Sequence, residues 1–170
     1  MRIHIISPGF TPEVFVDEKN IEIAPLGRIG VDKLVLIHTP YPNQEIEKKV
    51  ELVVEKLETH LKMKSTRITL REKTFSKLIN EIRQIIDSFG QGDEIYLHLE
   101  AGERHVVLAM AYASFFARRR VRLVFATEYG SGKKDYQFEM MPPIPTYKLT
   151  RKQKEALKLV ADKDGQTLKE

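Results

Sequence analysis

The segment Glu100-Ala101-Gly102-Glu103-Arg104 joins an apolar, strand-like run to an apolar, helix-like one. Glycine at such a turn lets backbone N–H groups approach an anion, and the first turn of a helix adds about half a positive charge. Arg104 adds a planar guanidinium whose fork of donors matches a phosphate. Glu100 and Glu103 oppose this, so a phosphate must be met by backbone or reached past them. A plain tight turn, with Arg104 paired to one of the two carboxylates, explains the same residues. A second stretch, Thr127 to Lys134, contains Gly130, Ser131, Gly132 and Lys133. It could close over a polyanion or serve only as a hairpin connection. A third, Ser7-Pro8-Gly9-Phe10-Thr11, follows the first apolar run.

Other chemistries lack their signatures. No G-x-x-x-x-G-K-S/T and no G-x-G-x-x-G is present, which removes the usual marks of nucleoside triphosphate and dinucleotide binding. With no cysteine, disulfides, thiolate metal sites and cysteine nucleophiles are excluded. Of the five histidines, His98 and His105 lie nearest a further candidate ligand, Glu100, but the three match no metal-ligand spacing. His98 reads instead as a sheet-face residue near the pocket. Ser7 and Ser131 lack a G-x-S-x-G setting, so no hydrolase triad is indicated. Neither a metal nor a cofactor is expected.

The elements that must position these loops follow from the spacing of apolar residues. Residues 3–7 form a first strand, closed by Pro8-Gly9, and Thr11-Pro12-Glu13 carries a helix-start signature. Pro25 and Gly27 are expected to break any helix before Gly30. Leu34 to Ile37 is a continuous apolar run, as in a strand covered on both faces. Asn43 caps a helix with Ile46, Val50, Val53, Val54, Leu57 and Leu61 on one face, and Thr66 to Leu70 is a short strand. Thr74 caps the next helix, with Phe75, Leu78, Ile79, Ile82, Ile85, Ile86 and Phe89 in its apolar stripe. Ile95, Leu97 and Leu99 mark another strand. The helix from Glu103 to Phe116 is apolar nearly all round, more than one sheet can cover. Val121 to Ala126 is a strand, and Tyr136 to Met140 returns as an antiparallel neighbour. Alternating strands and helices imply an α/β fold, a Rossmann-like three-layer sandwich on a mostly parallel sheet. In such a sheet all three candidate loops lie at carboxyl ends of strands, where ligands bind.

The chain has 170 residues, 42% hydrophobic and 31% charged, with net charge +4. That composition suits a folded domain with a mild preference for anionic partners. No apolar run approaches the roughly 18 residues of a membrane span, and no export signal follows the first strand, so a cytoplasmic location and no membrane contact are expected. Pro142, Pro143 and Pro145 stiffen a linker over 142–149. Thr150 and Gln153 then form a capping box for a helix to Ala161, and Asp164-Gly165 turns the chain.

Taken in order, the stretches SPGFTPE, DKLVLIHT, IYLHLEAGERHVVLAMAYASFF and TEYGSGKK resemble the CARF domain (CRISPR-associated Rossmann fold), especially in archaeal CRISPR-associated regulators that join it to a winged helix. The resemblance covers essentially residues 1–141. It implies a homodimer whose two pockets merge on a two-fold axis and take a cyclic oligoadenylate, the four-nucleotide ring matching that symmetry. By position it assigns to the ligand Gly9, Phe10 and Thr11, then Glu100, Ala101, Gly102, Glu103 and Arg104, then Gly130, Ser131, Gly132 and Lys133. Where the family often has Thr or Ser before Gly-x-Arg, this chain has Glu100, a carboxylate expected to repel phosphate. Residues 150–170 would begin a winged helix-turn-helix, cut off here and contacting promoter DNA in the full-length parent. The alternative on the same scaffold is an enzyme, a metal-independent nuclease that cleaves the ring with Arg104, Lys133 and Ser131.

Overall fold

The structure, a computed structural model, describes residues 1–9, 25–72, 74–100, 102–128, 136–140, 150–152 and 155; for 25, 28, 126–128 and 136–140 it describes the backbone alone. Six strands form one sheet: β1 (Arg2–Ile6), β2 (Lys33–His38), β3 (Thr66–Thr69), β4 (Glu94–His98), β5 (Val121–Glu128) and β6 (Tyr136–Met140). Their spatial order is β3-β2-β1-β4-β5-β6. The first five are parallel, and β6 runs antiparallel to β5 in the register Val124↔Met140 to Glu128↔Tyr136.

Helices α1 (Pro25–Ile29), α2 (Gln44–Leu61), α3 (Phe75–Asp87) and α4 (Arg104–Phe116) complete the described elements. The central strands are apolar on both faces because both are covered. Ile3, Ile5, Ile95 and Leu97 pack with Ile82 and Ile86 of α3 and Val106 and Met110 of α4. Ile6, Leu34 and Leu36 pack with Leu26 of α1 and Val50, Val54 and Leu57 of α2. This is the expected three-layer α/β sandwich.

Local signals were realised unevenly. The Asn43 side chain accepts from Ile46 N at 2.9 Å and caps α2. Thr74 stands at the N-cap of α3, but its side chain makes no capping bond, which corrects the expectation there. The expected break before Gly30 is also corrected. Pro25 opens α1, where its missing N–H removes nothing, and Gly27 is carried inside one short turn. At the other end of α2, the buried Glu58 accepts from Lys64 Nζ at 2.8 Å and from the Ser65 hydroxyl at 2.6 Å, anchoring the connection to β3. The helix start at Thr11-Pro12-Glu13, the linker over 142–149 and nearly all of 150–170 lie outside the described residues. Arg151 and Lys152 are helical, and Arg151 Nε donates to Glu155 at 2.9 Å.

Candidate functional site

The strand order reverses between β1 and β4, since β1 leads to β2 on one side and β4 leads to β5 on the other. Their carboxyl ends therefore open the crevice in which a sheet of this kind binds its ligands. Ser7 follows β1 and the turn 99–103 follows β4. Gly102 makes their close approach possible. Its φ is +111°, and a Cβ there would stand 2.5 Å from the Ser7 carbonyl oxygen and Oγ. Only glycine fits both the backbone angle and the space. Glu103 ties the start of α4 to the end of β2, accepting from the Thr39 hydroxyl at 2.6 Å, with His105 Nε2 3.4 Å away.

Beneath the turn runs a buried line of hydrogen bonds. His4 Nε2 meets the Gly30 carbonyl at 3.1 Å, His4 Nδ1 meets His98 Nε2 at 2.8 Å, and His98 Nδ1 meets Glu100 Oε1 at 2.7 Å. A carbonyl only accepts, so His4 carries its hydrogen on Nε2. Burial, reinforced by the neighbouring His98, pushes the His4 pKa down to about 3. Neutral His4 therefore accepts at Nδ1, and His98 Nε2 donates to it. One further hydrogen must lie between His98 Nδ1 and Glu100, carried by either, so the pair together bears no net charge. Glu100 does not confront a ligand as the isolated anion expected from the sequence: its side chain is 1% exposed and bonded to His98. Among the described residues, two buried oxygens at this end of the sheet have no hydrogen-bond partner, Ser7 Oγ and Glu100 Oε2.

The neutral His4 makes the fold acid-sensitive. Unfolded histidine titrates near pH ~6.5. Below that pH the unfolded chain binds a proton that folded His4, with its pKa about 3, does not take up. Stability is thus intact above the unfolded value and is lost as pH falls toward the folded one, by about 2 kcal/mol between pH ~7 and ~5. The partners of Asp32 and Glu58, both with pKa lowered to about 2, act in the same direction only at lower pH. Urea denaturation at stepped pH should show the midpoint falling over that interval at constant m-value. A flat midpoint would show that His4 ionises freely in the folded protein.

An open cavity of about 520 Å³ adjoins the turn, lined by Leu99, Glu100, Gly102, Arg104, Val107 and Leu108. Arg104 begins α4, is exposed and has no ion-pair partner among the described residues, so the reading that pairs it with Glu100 or Glu103 does not hold. Leu108 lines the cavity and also belongs to an exposed apolar face. That face carries Tyr112, Phe115 and Phe116 on α4, with Phe75 of α3 edge-on to the Tyr112 ring at 5.8 Å. Phe116 is 63% exposed.

No protein-family model matches the chain, and no curated protein matches it. Solved structures do. The fold is shared with Csm6 of Enterococcus italicus. That protein was solved bound to cyclic hexa-2′-fluoro-hexa-dAMP; the match has a TM-score of 0.50 and 14% identity, covering 98% of this chain and 39% of that one. This chain therefore spans well under two thirds of the length of Csm6. A type III CRISPR defence DNA nuclease activated by cyclic oligoadenylate is also similar, with TM-score 0.46 and 15% identity over 73% of this chain and 18% of that one.

Gly9, Glu100, Gly102, Glu103 and Arg104 gather at the carboxyl ends of β1 and β4, whereas Phe10, Thr11, Ala101, Gly130, Ser131, Gly132 and Lys133 lie outside the described residues. Among the described residues no three His, Asp or Glu side chains are placed to hold a metal ion, and no helix is long and apolar enough to cross a membrane. The arginines from Arg118 to Arg122 sit at the opposite end of the sheet, where β5 begins. His4, which holds His98 beneath the turn, was missed. The signal available was a histidine within each of two strands otherwise buried on both faces, Arg2–Ile6 and Glu94–His98.

Proposed function

We propose that this chain is the ligand-sensing domain of a CRISPR-associated transcription regulator, taking a cyclic oligoadenylate into a pocket completed by a second copy. The observation that carries this reading is the course of the cavity. It begins at the switch point, with the Gly102 backbone and Arg104, which has no ion-pair partner among the described residues, and reaches through Leu108 onto an exposed apolar helix face. A symmetric ring carrying several phosphates suits two such half-sites facing across a two-fold axis. The ring seen in Csm6 supports the same ligand class. In the full-length regulator, ligand binding would change the relative placement of two attached winged helices and so the affinity for promoter DNA.

Calorimetric titration with cyclic tetra-adenylate and cyclic hexa-adenylate tests the sensor reading. Saturable binding of one ring with two chains per ring is expected. No heat with either ring would overturn it. Linear products after incubation would transfer the assignment to the ring nuclease. Arg104→Ala is expected to weaken ring binding about ten- to a hundredfold, equivalent to about 1.5–3 kcal/mol for a lost charge-assisted hydrogen bond. Unchanged affinity would make the arginine a surface residue only.

A further inference from the structure

We infer that Glu100 is a specificity-determining residue of this pocket: its Oε2 accepts a hydrogen bond from a neutral donor on the nucleotide ring. The inference rests on the ligand class proposed above and names what that ligand must offer. Glu100 lines the cavity, its side chain is 1% exposed, and Oε2 has no hydrogen-bond partner among the described residues. A buried oxygen left without a partner is unfavourable, and a ligand that supplies a donor removes the penalty on binding.

The hydrogen bonds beneath Glu100 fix the direction of this contact. The Gly30 carbonyl sets the tautomer of His4, His4 sets that of His98, and His98 Nδ1 occupies Oε1 of Glu100. If the shared hydrogen is on His98, Glu100 is a carboxylate and Oε2 accepts. If it is on Oε1, Oε2 is the carbonyl oxygen of an acid and still accepts. Oε2 is an acceptor in both arrangements. In both, the His98–Glu100 pair has no net charge and spares an anionic ligand a net repulsion. A carboxyl group can therefore stand in a phosphate-binding pocket without working against it.

A cyclic oligoadenylate has two kinds of donor. Ring closure esterifies two hydroxyls of each ribose and leaves one free, and each adenine carries a 6-amino group. Either supplies the neutral N–H or O–H that Oε2 lacks. The test uses the whole chain with three probes: cyclic tetra-adenylate, its 2′-deoxy analogue and cyclic tetra-inosinate, which lacks the amino groups. One analogue is expected to bind about tenfold or more weakly than the parent ring, and its identity names the donor. Glu100→Gln keeps that discrimination, since its amide N–H can donate to His98 while its oxygen still accepts. Glu100→Ala abolishes it, binding the parent and the discriminated analogue alike.

If Glu100→Ala does not fold, ring ¹⁵N resonances of His98 in the unsubstituted protein decide. They shift when the parent ring saturates the site and stay in place with the discriminated analogue. Equal affinity for all three rings overturns the inference and leaves the sensor reading intact, as does discrimination that persists undiminished in Glu100→Ala. No binding of the parent ring overturns the sensor reading and this inference together.

Discussion

Alanine at position 102 is expected to destabilise the protein by about 3 kcal/mol and to abolish ring binding at concentrations that saturate the unsubstituted chain. Two effects combine. A φ of +111° is accessible to glycine and strained for any residue with a Cβ, at about 1–3 kcal/mol. The added methyl group would also stand 2.5 Å from the Ser7 backbone oxygen, forcing β1 and the β4–α4 turn apart at a further ~1–3 kcal/mol. Trimming the neighbour removes the contacts with its Cβ and Oγ but leaves the one with its carbonyl, which belongs to the backbone. Gly102→Ala combined with Ser7→Gly should therefore remain destabilised. Denaturant midpoints within about 0.5 kcal/mol of the parent would show that the turn can relax away from Ser7 at little cost.

The second large effect concerns the uncovered face of α4. Tyr112→Glu together with Phe116→Glu should convert a dimer into a 19.7 kDa monomer in light scattering, raising the dimer Kd about a thousandfold or more. That ratio corresponds to about 4 kcal/mol, a reasonable cost for placing two carboxylates among desolvated aromatic rings. Both side chains are exposed in the single chain, so the monomer itself should melt no earlier than the unsubstituted protein at equal concentration once dimer dissociation is allowed for. Ring affinity should fall with the dimer, because Leu108 joins the pocket to this face. If the unsubstituted chain scatters as a monomer at micromolar concentration, the shared pocket is wrong.

The fold was legible where the cause is local. Val50, Val53, Val54 and Leu57 recur at helical spacing and are buried on α2, and the two-sided apolar run from Leu34 to Ile37 became an interior parallel strand. The candidate turn at Gly102 was legible for the same reason, since a glycine and an arginine two residues apart stand between a strand and a helix. What stayed hidden depends on pairing at a distance. Nothing near His4 announces that its partner is His98, 94 residues later. Without that partner, Glu100 reads as a free anion beside a phosphate site. The switch point likewise exists only once β1 lies between β2 and β4, an order that the periodicity of any one strand does not encode. The short helix at Pro25 shows the converse: a breaker in a helix interior is a starter at its first position.

The central placement of β1 also governs how the chain can acquire its structure. This strand precedes both of its neighbours in the sequence, and one of them, β4, begins only at Glu94. Until then one edge of β1 has no parallel partner. Closing a loop of that length before any compensating contact forms is slow, and sheets dominated by such distant pairings fold slowly. A nascent chain that ends before β4 would present an unpaired apolar edge of the kind that recruits other strands. The cavity is lined by Leu99, Glu100, Gly102, Arg104, Val107 and Leu108, all of which follow β4, so the chain must extend past that strand before the cavity can exist.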